Sequence, residues 1–374
     1  MDWQKNLVRY RRDLHRIPEL GFEEHKTHDY LWARLQEMGL SPRAATNTGI
    51  TADIEGTGPG QVIAVRADMD GLPLTEETGL EFASQHAGVM HACGHDAHMA
   101  IALGLAERLL GNRHAFKRVR LLFQPAEERL PGGAIGLIEA GALDGVDEVY
   151  GLHVWANLPV GLVGLKAGPM MANADQFRID IRGSGGHGSQ PQATKDAVLI
   201  AAQTVVNLQT IVSRRIRPLD PAVVTCGTIH AGHTFNIIAE TAEVTGTVRT
   251  FSADTQTQIA NEISRIAERT ANLYDASAEV HYEKGYPAVV NHEREVALWE
   301  EKLRGFVQFA DIDPDMGSED FAYYLQHKPG AFLFLGAAQD DGESPPHHSP
   351  HFLVNERVLP LGVEVLYRAI TEIP

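Results

Sequence analysis

Residues 61–66 read Gln-Val-Ile-Ala-Val-Arg, and two aspartates, Asp68 and Asp70, follow almost at once. A short apolar run of this kind is typical of a buried strand. Similar runs recur at 119–123 and 149–154, and a helix is predicted between the first two, at about 98–110. Strands that alternate with helices over the first 170 residues predict an α/β fold in which helices flank a mixed sheet.

The middle of the chain has a different pattern. Between residues 174 and 288, alternating apolar and polar positions predict four strands and two helices in the order β-α-β-β-α-β. This order is typical of a small ferredoxin-like domain. We therefore predict a main α/β domain at 1–173 and 289–374, with an α+β domain inserted at 174–288.

Composition limits the class of protein. The 374 residues carry a formal net charge of −17 and 2 cysteines, and no apolar leader follows Met1. The acidic balance argues against a nucleic-acid partner. Two thiols in a chain of this size favour a reducing compartment. Charged residues, glycine or proline interrupt the long apolar stretches, so we expect a cytoplasmic protein with no membrane partner.

The densest group of metal-binding side chains is His91-Ala92-Cys93-Gly94-His95-Asp96-Ala97-His98. Histidine, cysteine and aspartate are ligands of a borderline metal such as zinc. The segment precedes a predicted helix, so its side chains would lie at the end of the sheet, where open α/β folds build their sites. The same residues could instead form a polar helix N-terminus with Asp96 as its cap, and the segment alone leaves both interpretations open.

A second signal, Glu127 and Glu128, follows the predicted strand at 119–123. Adjacent carboxylates that leave a buried strand point in different directions. One can therefore bind a metal while the other removes a proton from the reacting water. A solvated acidic turn is the alternative interpretation of this pair.

Three further histidines lie in separate segments. His153 ends a strand-like run, and His348 lies in a polar segment near the C-terminus. Taken singly, His153 is more typical of a buried core residue than of a ligand, and His348 is typical of a polar loop. His187 lies in the glycine-rich segment 183–191, which lacks the spacing of phosphate-binding loops. A loop that presents His187 at the tip of a hairpin or strand fits this segment better.

Together these blocks resemble one known family. Their order is similar to that of the binuclear metallo-aminoacylase superfamily, and specifically to its hippurate hydrolases, indole-acetyl-amino-acid hydrolases and N-acetyl-diaminopimelate deacetylases. The similarity covers nearly the whole chain, in segments 12–21, 66–70, 90–98, 123–128, 151–154, 183–191, 246–250, 317–321 and 348–350. Like this branch, and unlike many other members, segment 66–70 has no histidine, which leaves open whether Asp68 or Asp70 touches a metal.

The resemblance implies an enzyme that hydrolyses the amide bond of N-acyl amino acids. It implies two divalent metal ions per chain, with zinc, manganese, nickel and cobalt as the candidates. Glu127 would be the general base, and the implied metal ligands are Cys93, His95, Glu128, His153 and His348.

The resemblance also assigns a role to the inserted domain. The main domain would be catalytic, and the inserted domain would be a lid through which a homodimer can form. His187 would stabilise the oxyanion, in its own or the neighbouring subunit. Asn236 and Arg249 would bind the substrate, since arginine suits a bidentate contact with a carboxylate.

Two alternatives remain at this point. A dipeptidase or carboxypeptidase would use the same two-metal site on true peptide bonds. A catalytically silent binding protein would keep the fold and a metal for structure, but it would have no need of an additional carboxylate such as Glu127 beside the ligands.

Overall fold

The computed structural model describes residues 3–340 and 344–371. The chain divides into two compact units. The large unit comprises the residues up to 170, 290–313 and those from 320 onwards, and the small unit comprises 171–289 and 314–319.

The first part of the large unit alternates strands and helices, as predicted. Its elements in chain order are α1 (Trp3–His15), α2 (His25–Glu37), β1 (Arg43–Ala44), β2 (Ile50–Glu55), β3 (Val62–Asp68), α3 (His95–Leu110), β4 (Arg118–Gln124), α4 (Gly133–Glu139), β5 (Glu148–Trp155) and β6 (Leu162–Gly164). The short strand β7 (Gly168–Met171) then leads into the small unit.

The small unit contains two helices and a four-stranded sheet. Its elements are β8 (Asp175–Arg182), β9 (Gly186–His187), α5 (Ala197–Thr210), β10 (Ala222–Ala231), β11 (Ile237–Ile238), β12 (Thr241–Thr250), α6 (Ala253–Asn272) and β13 (Ser277–Glu283). The chain then completes the large unit with β14 (Val289–Asn291), α7 (Glu293–Leu303), β15 (Gln308–Ala310), α8 (Ala322–His327), β16 (Gly330–Gly336) and α9 (Val358–Ile370).

Eight strands of the large unit form one mixed sheet in the order β1-β2-β4-β3-β5-β16-β6-β15. The central strands β4, β3, β5 and β16 run parallel. β3 is buried along its whole length, which explains its continuous apolar run. Because β4 lies on one side of β3 and β5 on the other, the carboxyl ends of these three strands meet at a topological switch point, where such folds place their sites.

The helix α3 begins at His95, three residues before the predicted start. Its first turn lacks the apolar spacing that marks a helix in sequence, because His95, Asp96 and His98 are polar yet buried. Gly94 precedes the helix with a φ of +96°, and a Cβ at this position would lie 2.3 Å from Cγ2 of Val154. Glycine therefore permits the sharp bend between Cys93 and His95.

The small unit has the predicted ferredoxin-like order. Its antiparallel sheet runs β10-β12-β8-β13, and α5 and α6 bury their apolar residues against one face. Each helix begins at a capping side chain: Asp196 accepts hydrogen bonds from the first turn of α5, and Ser252 from that of α6. These caps satisfy backbone N–H groups that have no partner within a helix.

One segment departs from the expectation that no stretch could span a membrane. Ala197–Arg215 is long and apolar enough by composition to do so. A single segment of this kind is weak evidence, because core helices pass the same test. Within it, α5 places Ile200, Ala201 and Leu208 in the core of the small unit.

Candidate metal centre

Candidate ligands from two strand ends and from the start of α3 meet at the carboxyl edge of the large sheet. Glu127 and Glu128 follow β4, and His153 lies near the end of β5. Cys93 and His95 lie on either side of Gly94. Of these five, only Glu128 is partly exposed. The order of parallel strands therefore brings together residues that are up to 60 positions apart, as the contact between Cys93 and His153 shows.

The buried part of this group consists of Cys93, His95 and His153. One potential ligand atom of each lies within 4.8 Å of the others. The Sγ atom of Cys93 lies 3.3 Å from Nε2 of His153. Sulfur and imidazole nitrogen at this separation can face a common point, as zinc ligands do.

Two carboxylates and a third histidine extend the group towards the surface. Glu128, His348 and Cys93 form a second set within 4.8 Å, and His95, Glu127 and Glu128 form a third. Nε2 of His348 lies 2.9 Å from Oε1 of Glu128. The structure thus brings the five predicted ligands and the predicted base into one cluster of the large unit.

Hydrogen bonds determine which nitrogen of each buried histidine faces the cluster. Nδ1 of His153 lies 2.7 Å from the carbonyl oxygen of Val154. Nδ1 of His95 lies 2.9 Å from the carbonyl oxygen of Asp70. A carbonyl only accepts, so in the neutral, ligand form of each ring Nδ1 carries the proton and Nε2 presents a lone pair. Nε2 of His95 is buried and has no hydrogen-bond partner among the described residues. A bound cation would be coordinated by this nitrogen.

The charges around the cluster also suit a cation. Burial and the nearby carboxylates Glu128 and Glu127 raise the pKa of the Cys93 thiol well above its usual value. Burial alone would lower the pKa of His95, but Asp68 and Asp70 outweigh it and raise that pKa to about 10. A cation offsets this excess of negative charge and favours the thiolate. The thiol, imidazole and carboxylate groups of the cluster therefore fit a divalent metal ion.

Asp70 holds the segment that carries the two glutamates. Its Oδ1 accepts a hydrogen bond from the backbone N–H of Glu127 at 3.1 Å, and its Oδ2 accepts one from that of Glu128 at 2.9 Å. The Asp70 carbonyl is also the acceptor for His95. One buried residue therefore orients the base and two candidate ligands.

Asp68, next to the cluster, is held by His98 and Arg66. Oδ1 of Asp68 lies 2.6 Å from Nδ1 of His98, and its Oδ2 pairs with the Arg66 guanidinium. Nε2 of His98 accepts the backbone N–H of Val154 at 2.9 Å, so Nδ1 is the donor to Asp68. Burial opposes ionisation of Asp68, but Arg66, His95 and His98 hold its pKa well below the usual value.

The remaining predicted residues lie in the small unit. His187 is in β9, which pairs with β11, and the backbone N–H of Gly188 donates to the carbonyl of Asn236 at 2.9 Å. Nδ1 of His187 accepts the backbone N–H of Ser189 at 3.1 Å, so the ring proton lies on the exposed Nε2. Arg249, on β12, is partly buried and donates to Oγ1 of Thr247 at 2.8 Å.

The sequence of both units matches a known family. A model of Peptidase family M20/M25/M40 matches residues 64–372, which includes every candidate ligand. The chain belongs to this family. The M20 assignment confirms the resemblance predicted from the sequence and the prediction of a metal-dependent hydrolase that acts on amide bonds.

Individual members of the M20 family are similar along most of the chain. The N-acetyl-L-cysteine deacetylase of Bacillus subtilis is 42% identical over 98% of this chain and 88% of its own length. Thermostable carboxypeptidase 1 of Saccharolobus solfataricus is 38% identical over 96% and 93%. A solved dinuclear metal binding peptidase of the M20 family from Bacillus subtilis is 35% identical, covers 98% and 97%, and superimposes with a TM-score of 0.87.

Sequence reasoning left the supporting residues of this M20 site without roles. His98 belongs to the histidine segment, and its spacing of three from His95 places both on one face of α3. The sequence leaves open whether Asp68 or Asp70 touches a metal, and in the structure both carboxylates have hydrogen bonds or ion pairs with protein groups. No sequence signal identified Glu24, whose carboxylate accepts the backbone N–H of Ala126.

Proposed function

We propose that this protein hydrolyses N-acyl amino acids to a carboxylic acid and a free amino acid. The observation that carries the proposal is the position of Glu127. It is a buried carboxylate that lies within 4.8 Å of ligand atoms of His95 and Glu128, at the edge of the cluster. The similarity to an N-acetyl-L-cysteine deacetylase supports an N-acylated amino acid as the substrate.

We further propose that two divalent metal ions bind at this cluster. When bound, they supply a Lewis acid that lowers the pKa of water and polarises the scissile carbonyl group. The thiolate of Cys93 favours zinc, and manganese, nickel and cobalt are the alternatives. The ligands would be Cys93, His95, Glu128, His153 and His348.

The protein's own groups would then move the protons and hold the substrate. Glu127 removes a proton from the attacking water and delivers it to the leaving amine. His187 donates its Nε2–H to the oxyanion, as the proton position on its ring allows. We assign the substrate carboxylate to Arg249, and a further polar contact to Asn236. The small unit would thus act as a lid.

The two edge strands of the small sheet differ in a way that favours a homodimer through one of them. The edge strand β13 alternates charged residues such as Glu279 and Glu283, which discourage pairing. The opposite edge strand, β10, has no carboxylate or lysine, and Ile229 on it is 49% exposed. On α5, Val206 is also exposed. We propose that the β10 edge pairs with a second copy of the chain.

We also propose that the enzyme is cytoplasmic, because both cysteines are free.

A peptidase is the second candidate, because a thermostable carboxypeptidase is 38% identical to this chain. Both reactions use a base, an oxyanion donor and a carboxylate-binding arginine. They differ in the acyl group, which is a simple acid in one case and an amino acid in the other.

The test is to measure bound metal and hydrolysis together, before and after chelation, on N-acetyl, N-benzoyl and dipeptide substrates. About two divalent ions per chain, with activity lost on chelation and restored by zinc or manganese, are expected from a two-metal site. Higher kcat/KM on dipeptides would favour the peptidase. Bound metal without turnover of any amide would favour the silent binding protein.

A further inference from the structure

The segment that carries Glu127 has an unusual backbone conformation. Ala126, directly before the base, has a φ of +53°, in the left-handed region that residues other than glycine seldom adopt. The residue is fully buried. Contacts from elsewhere in the fold must therefore hold this turn, since alanine does not favour it by itself.

Three successive backbone N–H groups of this turn donate to two buried carboxylates. Those of Glu127 and Glu128 donate to Asp70. The N–H of Ala126 donates to Oε1 of Glu24 at 2.8 Å. Glu24 comes from the segment before α2, 102 positions away in the sequence.

Glu24 is itself held firmly. Its side chain is fully buried, and Oε1 also accepts the backbone N–H of Phe22 at 3.0 Å. Oε2 accepts the hydroxyl of Thr48 at 2.8 Å. Gly21 lies close by, because a Cβ at that position would be 3.0 Å from Cα of Ala126. The segment 21–24 therefore forms a rigid support against the turn at Ala126.

We propose that Glu24 is a positioning residue for Glu127, which it serves by holding the left-handed turn at Ala126. This inference rests on the proposed role of Glu127 as the base. Among the described residues, the Glu24 side chain accepts hydrogen bonds from Phe22, Thr48 and Ala126 and from none of the candidate ligands. The backbone N–H of Glu128 donates to Asp70 instead. Its loss should therefore lower kcat while KM and metal affinity change little.

The first test compares Glu24→Ala with Glu24→Gln and Glu23→Ala in the metal-loaded enzyme. Glu23 is the adjacent, exposed glutamate and is the matched control. In Glu24→Gln, the amide oxygen can still accept the N–H of Ala126 while its NH2 group faces Thr48. Burial and the charge of Asp70 raise the pKa of Glu24 to about 7, so a neutral group is tolerated at this position.

We expect Glu24→Ala to lower kcat by about tenfold or more, as misplacement of a catalytic group does. KM and the metal affinity, measured by competition with a chelator, should stay within about threefold, and Glu24→Gln should recover most of kcat. Equal kcat values in Glu24→Ala and Glu23→Ala would overturn the inference. So would a parallel loss of metal affinity, which would indicate a general structural role.

A second variant keeps the proposal testable if Glu24→Ala fails to fold. Glycine adopts the left-handed region without strain, so Ala126→Gly should need the support of Glu24 less. We expect the double variant Glu24→Ala/Ala126→Gly to fold and to have a higher kcat than Glu24→Ala. If Glu24→Ala is insoluble, Glu24→Asp is the variant with which kcat is compared. No gain from glycine would refute the inference. An inactive wild-type enzyme, or a fully active Glu127→Gln variant, would instead refute the proposed function.

Discussion

The candidate catalytic residues of the two units are held in different ways. In the large unit, His95, His98 and Asp68 are at most 2% exposed, and each has contacts with residues distant in the sequence. In the small unit, His187 and Asn236 are exposed. Among the described residues, the side-chain hydrogen bonds of His187 and Arg249 reach at most two positions along the chain, to Ser189 and Thr247.

This difference indicates that the polar groups of the two units have different roles. The large unit arranges its polar groups before any substrate is present, because buried polar groups must be satisfied for the unit to fold. In the small unit, His187 and Asn236 are exposed to solvent, so under the proposed function their side chains would find partners in the substrate. Substitutions of the buried ligands and of the residues that orient them should affect metal binding, stability or both, whereas substitutions in the small unit should affect kcat or KM and leave metal binding and stability unchanged.

Replacement of the base should have the largest effect. Glu127→Gln removes the group that accepts the proton, so kcat should fall by about 10²–10⁴-fold. Metal content should stay unchanged, because the candidate ligands remain. Glu139→Gln, which changes an exposed glutamate of the same unit, is the control. Near-normal turnover in Glu127→Gln would remove the base from the proposed mechanism.

Loss of the oxyanion donor should come next. His187→Ala should lower kcat by about 10²–10³-fold, as removal of one oxyanion donor does in other hydrolases. The melting temperature and metal content should match those of the wild type. His233→Ala changes another exposed histidine of the small unit and should be neutral. Metal loss in His187→Ala would show that the division between the units is wrong.

Substitution of one arginine in each unit compares the two units in their effect on the free energy of unfolding. Arg66→Met leaves Asp68 and Asp320 buried without their counter-charge, which should cost about 3–5 kcal/mol of unfolding free energy. Arg249→Met should change stability by less than about 1 kcal/mol, because the side chain is partly exposed. It should instead raise KM by about tenfold or more, through loss of a charged hydrogen bond. Denaturant unfolding and steady-state kinetics on both variants would measure this contrast, and equal stabilities would contradict it.

The smallest effect should be a pH dependence of stability. Burial opposes protonation of His15, but Asp96 and Glu76 outweigh it and raise its pKa to about 9. The native state therefore binds a proton that the unfolded state releases above about pH 6.5. This stabilisation is complete below pH 6.5 and is lost as the pH rises through 9.

The measurement is the unfolding free energy of the wild type and of His15→Gln between pH 6.5 and 9.5. The wild type should lose on the order of 1–3 kcal/mol more than the variant over this range. Parallel curves would mean that His15 is not protonated in the folded protein.

The sequence predicted the parts of this protein that depend on local pattern. The strand predicted at 61–66 forms at Val62–Asp68, and Glu127 and Glu128 follow a strand as predicted, whereas α3 begins inside the histidine segment. The fold class and the family are confirmed. The ligand set and the roles of His187, Asn236 and Arg249 remain predictions, although the structure clusters the five candidate ligands around Glu127.

The orientation of those groups was beyond sequence reasoning. Periodicity and residue type act over a few positions, so they determined which elements form and which chemistry their ends carry. Only the tertiary structure decided that Nε2 of His95 faces the cluster, because its orienting acceptor, the Asp70 carbonyl, is 25 positions away. It likewise decided that Glu24 holds the turn before Glu127, across 102 positions. A hydrogen bond requires its two atoms to meet in space, and the packing of the whole unit determines where they meet.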